Sequence, residues 1–228
     1  MEVYGYSGSG PAGSLEYRAY GGTIALDITN TPGSAVEVKE LNVPYVAGGR
    51  LLWETPVEGF RVGGSLQALR LDTTLLYNSG ATAVTAQIPA LLWVGSAEYV
   101  RSDLLLSAEY SRWNVKVSSS DPSLLPESPV ISERAYVMGS YRVNDWLQPG
   151  LYYSILYPNV EKRDGRENQQ HDVAATLRFD VNRHWLIKVE GHLMRGTAAL
   201  NTALNNGVSR ASLNGAWGAF LVKTTAYF

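Results

Sequence analysis

The chain has 228 residues, a net charge of −2 and only 18% charged residues, below the roughly 25% usual for soluble domains. It has no cysteine, which excludes disulfides, cysteine-held zinc, iron–sulfur clusters and thiol catalysis. The near-neutral balance excludes a strongly basic nucleic-acid surface, so no nucleic-acid partner is expected.

Residues 1–13 read as a loop or a truncated N-terminal segment. No basic stretch followed by an apolar stretch marks a signal peptide. A cytoplasmic protein, a mature form with an added Met and a fragment of a longer chain all fit that start. Gly8-Ser9-Gly10-Pro11-Ala12-Gly13 matches G-x-G-x-x-G. A dinucleotide loop must follow a strand and open a helix, and no helix-period pattern follows here.

From residue 14 onward, alternation with period two dominates. Strands are predicted at 14–28, 46–55, 58–76, 82–100, 103–118, 131–143, 146–157, 170–181, 184–196 and 213–228, so about ten are expected, with residues 14–228 forming one domain. Val173, Ala175, Leu177, Phe179 and Val181 alternate with Asp172, Ala174, Thr176, Arg178 and Asp180. Trp185, Ile187, Val189 and Leu193 alternate with Leu186, Lys188, Glu190 and Met194. The segments far exceed the ~5–6 residues of an average strand and suit the ~9–11 needed to cross a bilayer at a tilt. The longest near-apolar run, 88–95, contains Pro89 and falls far short of the ~20 residues of a membrane helix.

The links alternate in length. Tight turns are expected at 56–59, 100–103, 143–145 and 182–184. Longer links are expected near 29–45, 119–130, 158–169 and 197–212, with a compact one at 77–81 on the long side. In an up-and-down meander this trims one end of the sheet and elaborates the other, as in outer-membrane barrels. The charged run 161–167 reads as solvated surface, with a loop folded over a channel mouth as its functional alternative.

Tyrosine (14) and tryptophan (6) outnumber phenylalanine (4), and such rings favour half-wet boundaries. Tyr99, Trp146, Tyr157, Trp185 and Phe228 fall near segment ends, like the aromatic girdles of a lipid belt. The other face carries charges that a sealed core would not hold unpaired. By parity, Arg61, Glu98, Glu109, Arg134, Arg142, Arg178, Asp180, Lys188, Glu190 and Lys223 face inward. Cations exceed anions in that set, giving a slight anion preference if they line a pore. The structural alternative is cross-strand bracing among Arg178, Lys188 and Glu190.

Other chemistry is weakly supported. His171, His184 and His192 lack metal-ligand spacing, so no metal is expected. Glu98 and Glu109 could face each other across a hairpin, more readily as hydrogen-bond acceptors from partners such as Arg101 than as a catalytic pair. No G-x-S-x-G occurs. No cofactor and no enzymatic activity are expected.

The final stretch, Gly218-Ala219-Phe220-Leu221-Val222-Lys223-Thr224-Thr225-Ala226-Tyr227-Phe228, resembles the terminal strand of Gram-negative outer-membrane barrels. Residues 178–192 resemble the penultimate hairpin of large proteobacterial porins. The resemblance implies an all-β, antiparallel, up-and-down transmembrane barrel in the bacterial outer membrane. It implies that Phe220, Val222, Tyr227 and Phe228 form a signal read by the barrel-assembly machinery, and that the assembly is a homotrimer. Large porins carry about sixteen strands, so ten fit either the C-terminal portion of such a barrel or a small complete one.

The function expected is passive diffusion of small hydrophilic solutes or ions through a mixed-charge lumen. The alternatives are a small structural or adhesive barrel whose loops bind partners, and a soluble all-β binding domain.

Overall fold

The structure, a computed structural model, describes residues 1–28, 30, 35–78 and 80–227. It contains β1 (Glu2–Gly10), β2 (Gly13–Ile24), β3 (Val36–Glu54), β4 (Phe60–Tyr77), β5 (Thr82–Arg101), β6 (Leu104–Lys116), β7 (Ser118–Ser119), β8 (Pro129–Tyr141), β9 (Leu147–Tyr157), β10 (Gln170–Asn182), β11 (Trp185–Gly196) and β12 (Ala216–Ala226). Three single-turn 3₁₀ segments lie in the links.

All strands form one 12-stranded sheet whose order follows the chain, with β7 set aside on β5. Each pairing among the described strands is antiparallel. The sheet is open: among the described residues β1 and β12 are its two edges. Short turns at 11–12, 55–59, 102–103, 142–146 and 183–184 gather at one end, and the other links, longer except for 78–81, gather at the other. This is the expected up-and-down meander.

Two expectations need correction. Among the described residues the strand count is twelve, not ten, because β1 and the short β7 join the sheet. Residues 1–13 are accordingly not a loop, since β1 pairs with β2 from Glu2↔Tyr20 to Gly10↔Gly13. Small residues in 5–10 hide this strand's alternation. They serve packing instead: Gly5 sits opposite Tyr17, whose ring occupies the space a Cβ would need. An aromatic covering a strand glycine in this way is a known device for curved sheets.

The first half of β3 was also missed. Its register shifts between Val38 and Glu40 and again between Asn42 and Tyr45. Pro44 lies in the second shift, where a residue without an N–H is tolerated. Each shift resets the side-chain parity on which a period-two reading depends.

The sheet has no conventional core. Among the described residues the buried apolar ones are only Val43, Leu52, Val84, Ala86, Ala90, Ala174 and Ala198. Along β10 the apolar positions Val173, Ala175 and Leu177 are exposed, while Ala174 between them is buried. The same apolar face carries Leu151, Leu193 and Phe220 at 67%, 74% and 73% exposure. A soluble sandwich would cover this face with a second sheet. No second sheet exists among the described residues.

Candidate functional site

Residues directly opposite on paired strands share a face, as do residues two apart on one strand. One row runs from Arg61 through Glu98, Ser107, Met138, Tyr152, Ala174 and His192 to Ala219. A second row carries Ser96, Glu109, Tyr136, Ser154 and Asp172. Arg134 lies opposite Ser111 and Leu156. Nearer the short turns, Gln148, Arg178, Lys188 and Lys223 form one row, and Thr176, Glu190 and Leu221 form another. Asp180 stands opposite Leu186. Arg142, just past β8, reaches the same Asp180 at 3.4 Å. The register thus gathers all ten charged residues singled out in the sequence on the face opposite the exposed apolar one.

Their ion pairs differ from the sequence expectation. Glu98 is held by Arg61, with Nη2 2.7 Å from Oε1, and not by Arg101, which falls on the other face. Glu98 and Glu109 do not oppose each other, because their directly facing residues are Ser107 and Ser96. Arg178 donates to Asp180 two residues away, with Nη2 2.7 Å from Oδ1. Lys188 pairs with Glu190, also two residues away. Among Arg178, Lys188 and Glu190 the bracing therefore runs along strands, whereas Arg61–Glu98 spans two. Across strands, Arg178, Lys188 and Lys223 stand side by side as like charges. Arg142, Arg178, Asp180, Arg183, Trp185 and Tyr227 line a cleft of about 430 Å³ at the short-turn end.

Six charged residues of this face were missed: Arg18, Arg50, Glu2, Glu16, Glu54 and Asp172. Alternation of Glu16, Arg18 and Tyr20 was legible. Arg50 and Glu54 needed the full extent of β3. The enlarged set has as many cations as anions, so the slight positive excess disappears.

The histidines have local partners. His192 Nδ1 lies 3.0 Å from both carboxylate oxygens of Asp172. His171 Nδ1 lies 2.8 Å from the Tyr153 hydroxyl. His184 accepts from Arg183 Nε at 2.9 Å. No group of three or more potential metal ligands exists among the described residues.

The apolar face turns polar toward the long links. There Glu133 accepts from Tyr110, from Arg112 and, at 2.8 Å, from Arg163. The Arg163 guanidinium also sits 4.5 Å from the centre of the Tyr157 ring. The start of link 158–169 is thereby tied to the apolar side of the wall. Farther along, Arg166 donates to the Leu213 carbonyl at 3.0 Å, joining two long links. In link 117–128, Asp121 accepts from the Ser123 hydroxyl and N–H, which hold its carboxyl below the usual carboxylate range.

Of the terminal-strand residues, Phe220 and Val222 point to the exposed apolar face. Tyr227 donates its N–H to the His184 carbonyl at 2.8 Å. Phe228 lies outside the described residues.

No family model matches the sequence, and no curated protein matches it. Solved structures do. In-vitro folded OmpT, an outer membrane protein of Vibrio cholerae, matches at 12% identity and a TM-score of 0.53, over 99% of this chain and 88% of that one. Its loop L8 deletion mutant matches at 12% identity and a TM-score of 0.50, over 95% of this chain and 63% of that one. The NanC porin aligns at 11% identity and a TM-score of 0.41, over 100% of this chain and 98% of that one. At such identities the likeness to OmpT is one of fold: the chain has the antiparallel up-and-down fold of an outer-membrane β-barrel protein.

Proposed function

We propose that the protein is a porin-like barrel of the bacterial outer membrane, through which small hydrophilic solutes or ions diffuse passively. The observation that carries this reading is the two-sided sheet. One face is apolar and uncovered, with Leu151, Leu193 and Phe220 each more than two-thirds exposed. The other carries rows of charge. Hydrocarbon makes the first face favourable, since every backbone group of a closed wall is paired internally. An aqueous lumen makes the second favourable, because half-exposed ion pairs there stay hydrated.

The lining consists of Arg61, Glu98, Glu109, Arg134, Arg142, Arg178, Asp180, Lys188, Glu190 and Lys223, together with the charged residues of β1–β3 and Asp172. Rings of such side chains set ion selectivity. With cations and anions balanced over the described wall, selectivity is weak. No covalent step is required: lumen width and lining charge act on solutes moving down their gradients. The outer-membrane barrel fold implies a lipid bilayer as its surroundings; the proposed reading adds insertion by the barrel-assembly machinery, with the terminal strand as signal.

The test is reconstitution of the full protein into planar bilayers. Discrete conductance steps, with heat-sensitive migration of the folded species in gels, support the reading. Well-folded protein without current overturns the channel.

A further inference from the structure

We propose that the gap between β1 and β12 is filled by further strand of the same polypeptide, odd in strand number, whose outermost strands run opposite to the edges they touch. The inference rests on the membrane-wall part of the reading above. β12 enters from the long-link end and finishes at the short-turn end, as do β3, β5, β8 and β10. β1 runs the same way, since it leads into the short turn at 11–12. The two edges are therefore parallel to each other.

Three closures can be compared. Direct pairing of β1 with β12 would make a lone parallel seam in a wall whose other pairings are antiparallel. A second copy inserted in the same orientation presents the same two descending edges, so it too could pair only in parallel. A strand ascending from the short turns to the long links pairs antiparallel with both edges. Added to the eleven strands of the main path, with β7 left aside, it also gives the even strand number of bacterial single-chain barrels. Open edges are no alternative, because unpaired backbone groups are not tolerated in hydrocarbon.

Side chains at the edges lack a neighbour in the same way. Tyr4 and Tyr6 lie on the charged face, by their pairing with Arg18 and Glu16, yet are 74% and 62% exposed. On the same face in mid-sheet, Tyr136 and Tyr152 stack with ring centroids 5.8 Å apart and are only half-buried. Leu221, on the charged face of β12, is also exposed. Neighbouring pairs in the main path are otherwise consecutive in the chain, with only β7 set aside, which favours the same polypeptide as the source.

The experiment is cysteine pairing in the protein as its gene encodes it, in native outer membranes. Tyr4→Cys is combined in turn with Ala219→Cys, Leu221→Cys and Lys223→Cys. His192→Cys with Ala219→Cys, directly opposite on β11 and β12, is the control. An intervening strand sets the edges about 10 Å apart, beyond the ~7 Å that a disulfide spans between Cα atoms. The control bridges and the edge pairs do not. Amides of β1 and β12 exchange as slowly as those of β4, and native mass spectrometry finds no polypeptide other than copies of this one in the folded unit.

A disulfide joining β1 to β12, fast exchange at either edge, or a different polypeptide in the folded unit overturns the proposal. None of these readouts involves current. A sealed barrel that does not conduct leaves this inference standing, and a conducting barrel with a β1–β12 bridge removes it alone.

Discussion

Arg61 and Glu98 stand directly opposite each other on β4 and β5, joined at 2.7 Å, with side chains 42% and 28% exposed. Water and salt screen such a pair, so it is worth at most about 1 kcal/mol. Arg61→Ala should leave thermal unfolding within that margin. It removes one lumen cation and frees a carboxylate, so the reversal potential across a potassium chloride gradient shifts toward cations. An unshifted potential takes this pair out of the lining.

Lys223 has Lys188 directly opposite and Arg178 one strand beyond. Like charges facing each other across strands are unfavourable by roughly 0.2–1 kcal/mol. Lys223→Glu is therefore expected to keep or slightly raise stability while it moves ion preference toward cations. Urea unfolding in lipid and bilayer recordings read the two effects separately. A loss of stability would show that the lysine itself holds the strands.

Gly48 faces Tyr20, and a Cβ there would lie 2.6 Å from the tyrosine hydroxyl oxygen and 2.8 Å from the backbone oxygen of Leu66. Gly48→Ala should cost about 1–3 kcal/mol through overpacking. Gly95 has nothing within 4 Å of the same position. Gly95→Ala should stay within about 0.5 kcal/mol of the parent. Equal effects in urea titrations would contradict the packing described.

Asp121 gives link 117–128 a pH dependence of known sign. Its carboxylate is stabilised by the Ser123 hydroxyl and N–H, which depress its pKa. The stabilisation is complete above the ordinary aspartate range and is lost as pH falls through the depressed value. Exchange at the Ser123 amide, corrected for its intrinsic pH dependence, should therefore speed up only below the usual carboxylate range. Asp121→Asn should abolish that step. A step that persists in the variant assigns it to another group.

The legible part of the fold is the part that keeps one parity. From β4 to β12, β7 apart, the strands lie within a few residues of their predicted limits, because segments such as Val173–Val181 and Trp185–Leu193 alternate without interruption. The illegible part has identifiable causes. Gly5, Ser7, Gly8 and Gly10 dilute β1, and two register shifts with Pro44 break β3. Parity placed Arg61, Glu98 and Lys188 on one face, since that needs only residue number. The ion-pair partners depend on register, which a single strand does not encode. Arg101 was expected in the turn 100–103, but β5 runs through it and parity puts it on the other face, while the true partner Arg61 needed the β4–β5 register.

In the proposed barrel, hydrocarbon covers the apolar face while water meets the other. Leu151 and Tyr152 are neighbours on β9 that point to opposite faces. A spin label at each position in reconstituted protein can be relaxed by oxygen, which partitions into lipid, or by a water-soluble nickel chelate. The account predicts strong oxygen and weak nickel relaxation at Leu151→Cys, and the reverse at Tyr152→Cys. Nickel access equal at both positions would contradict it.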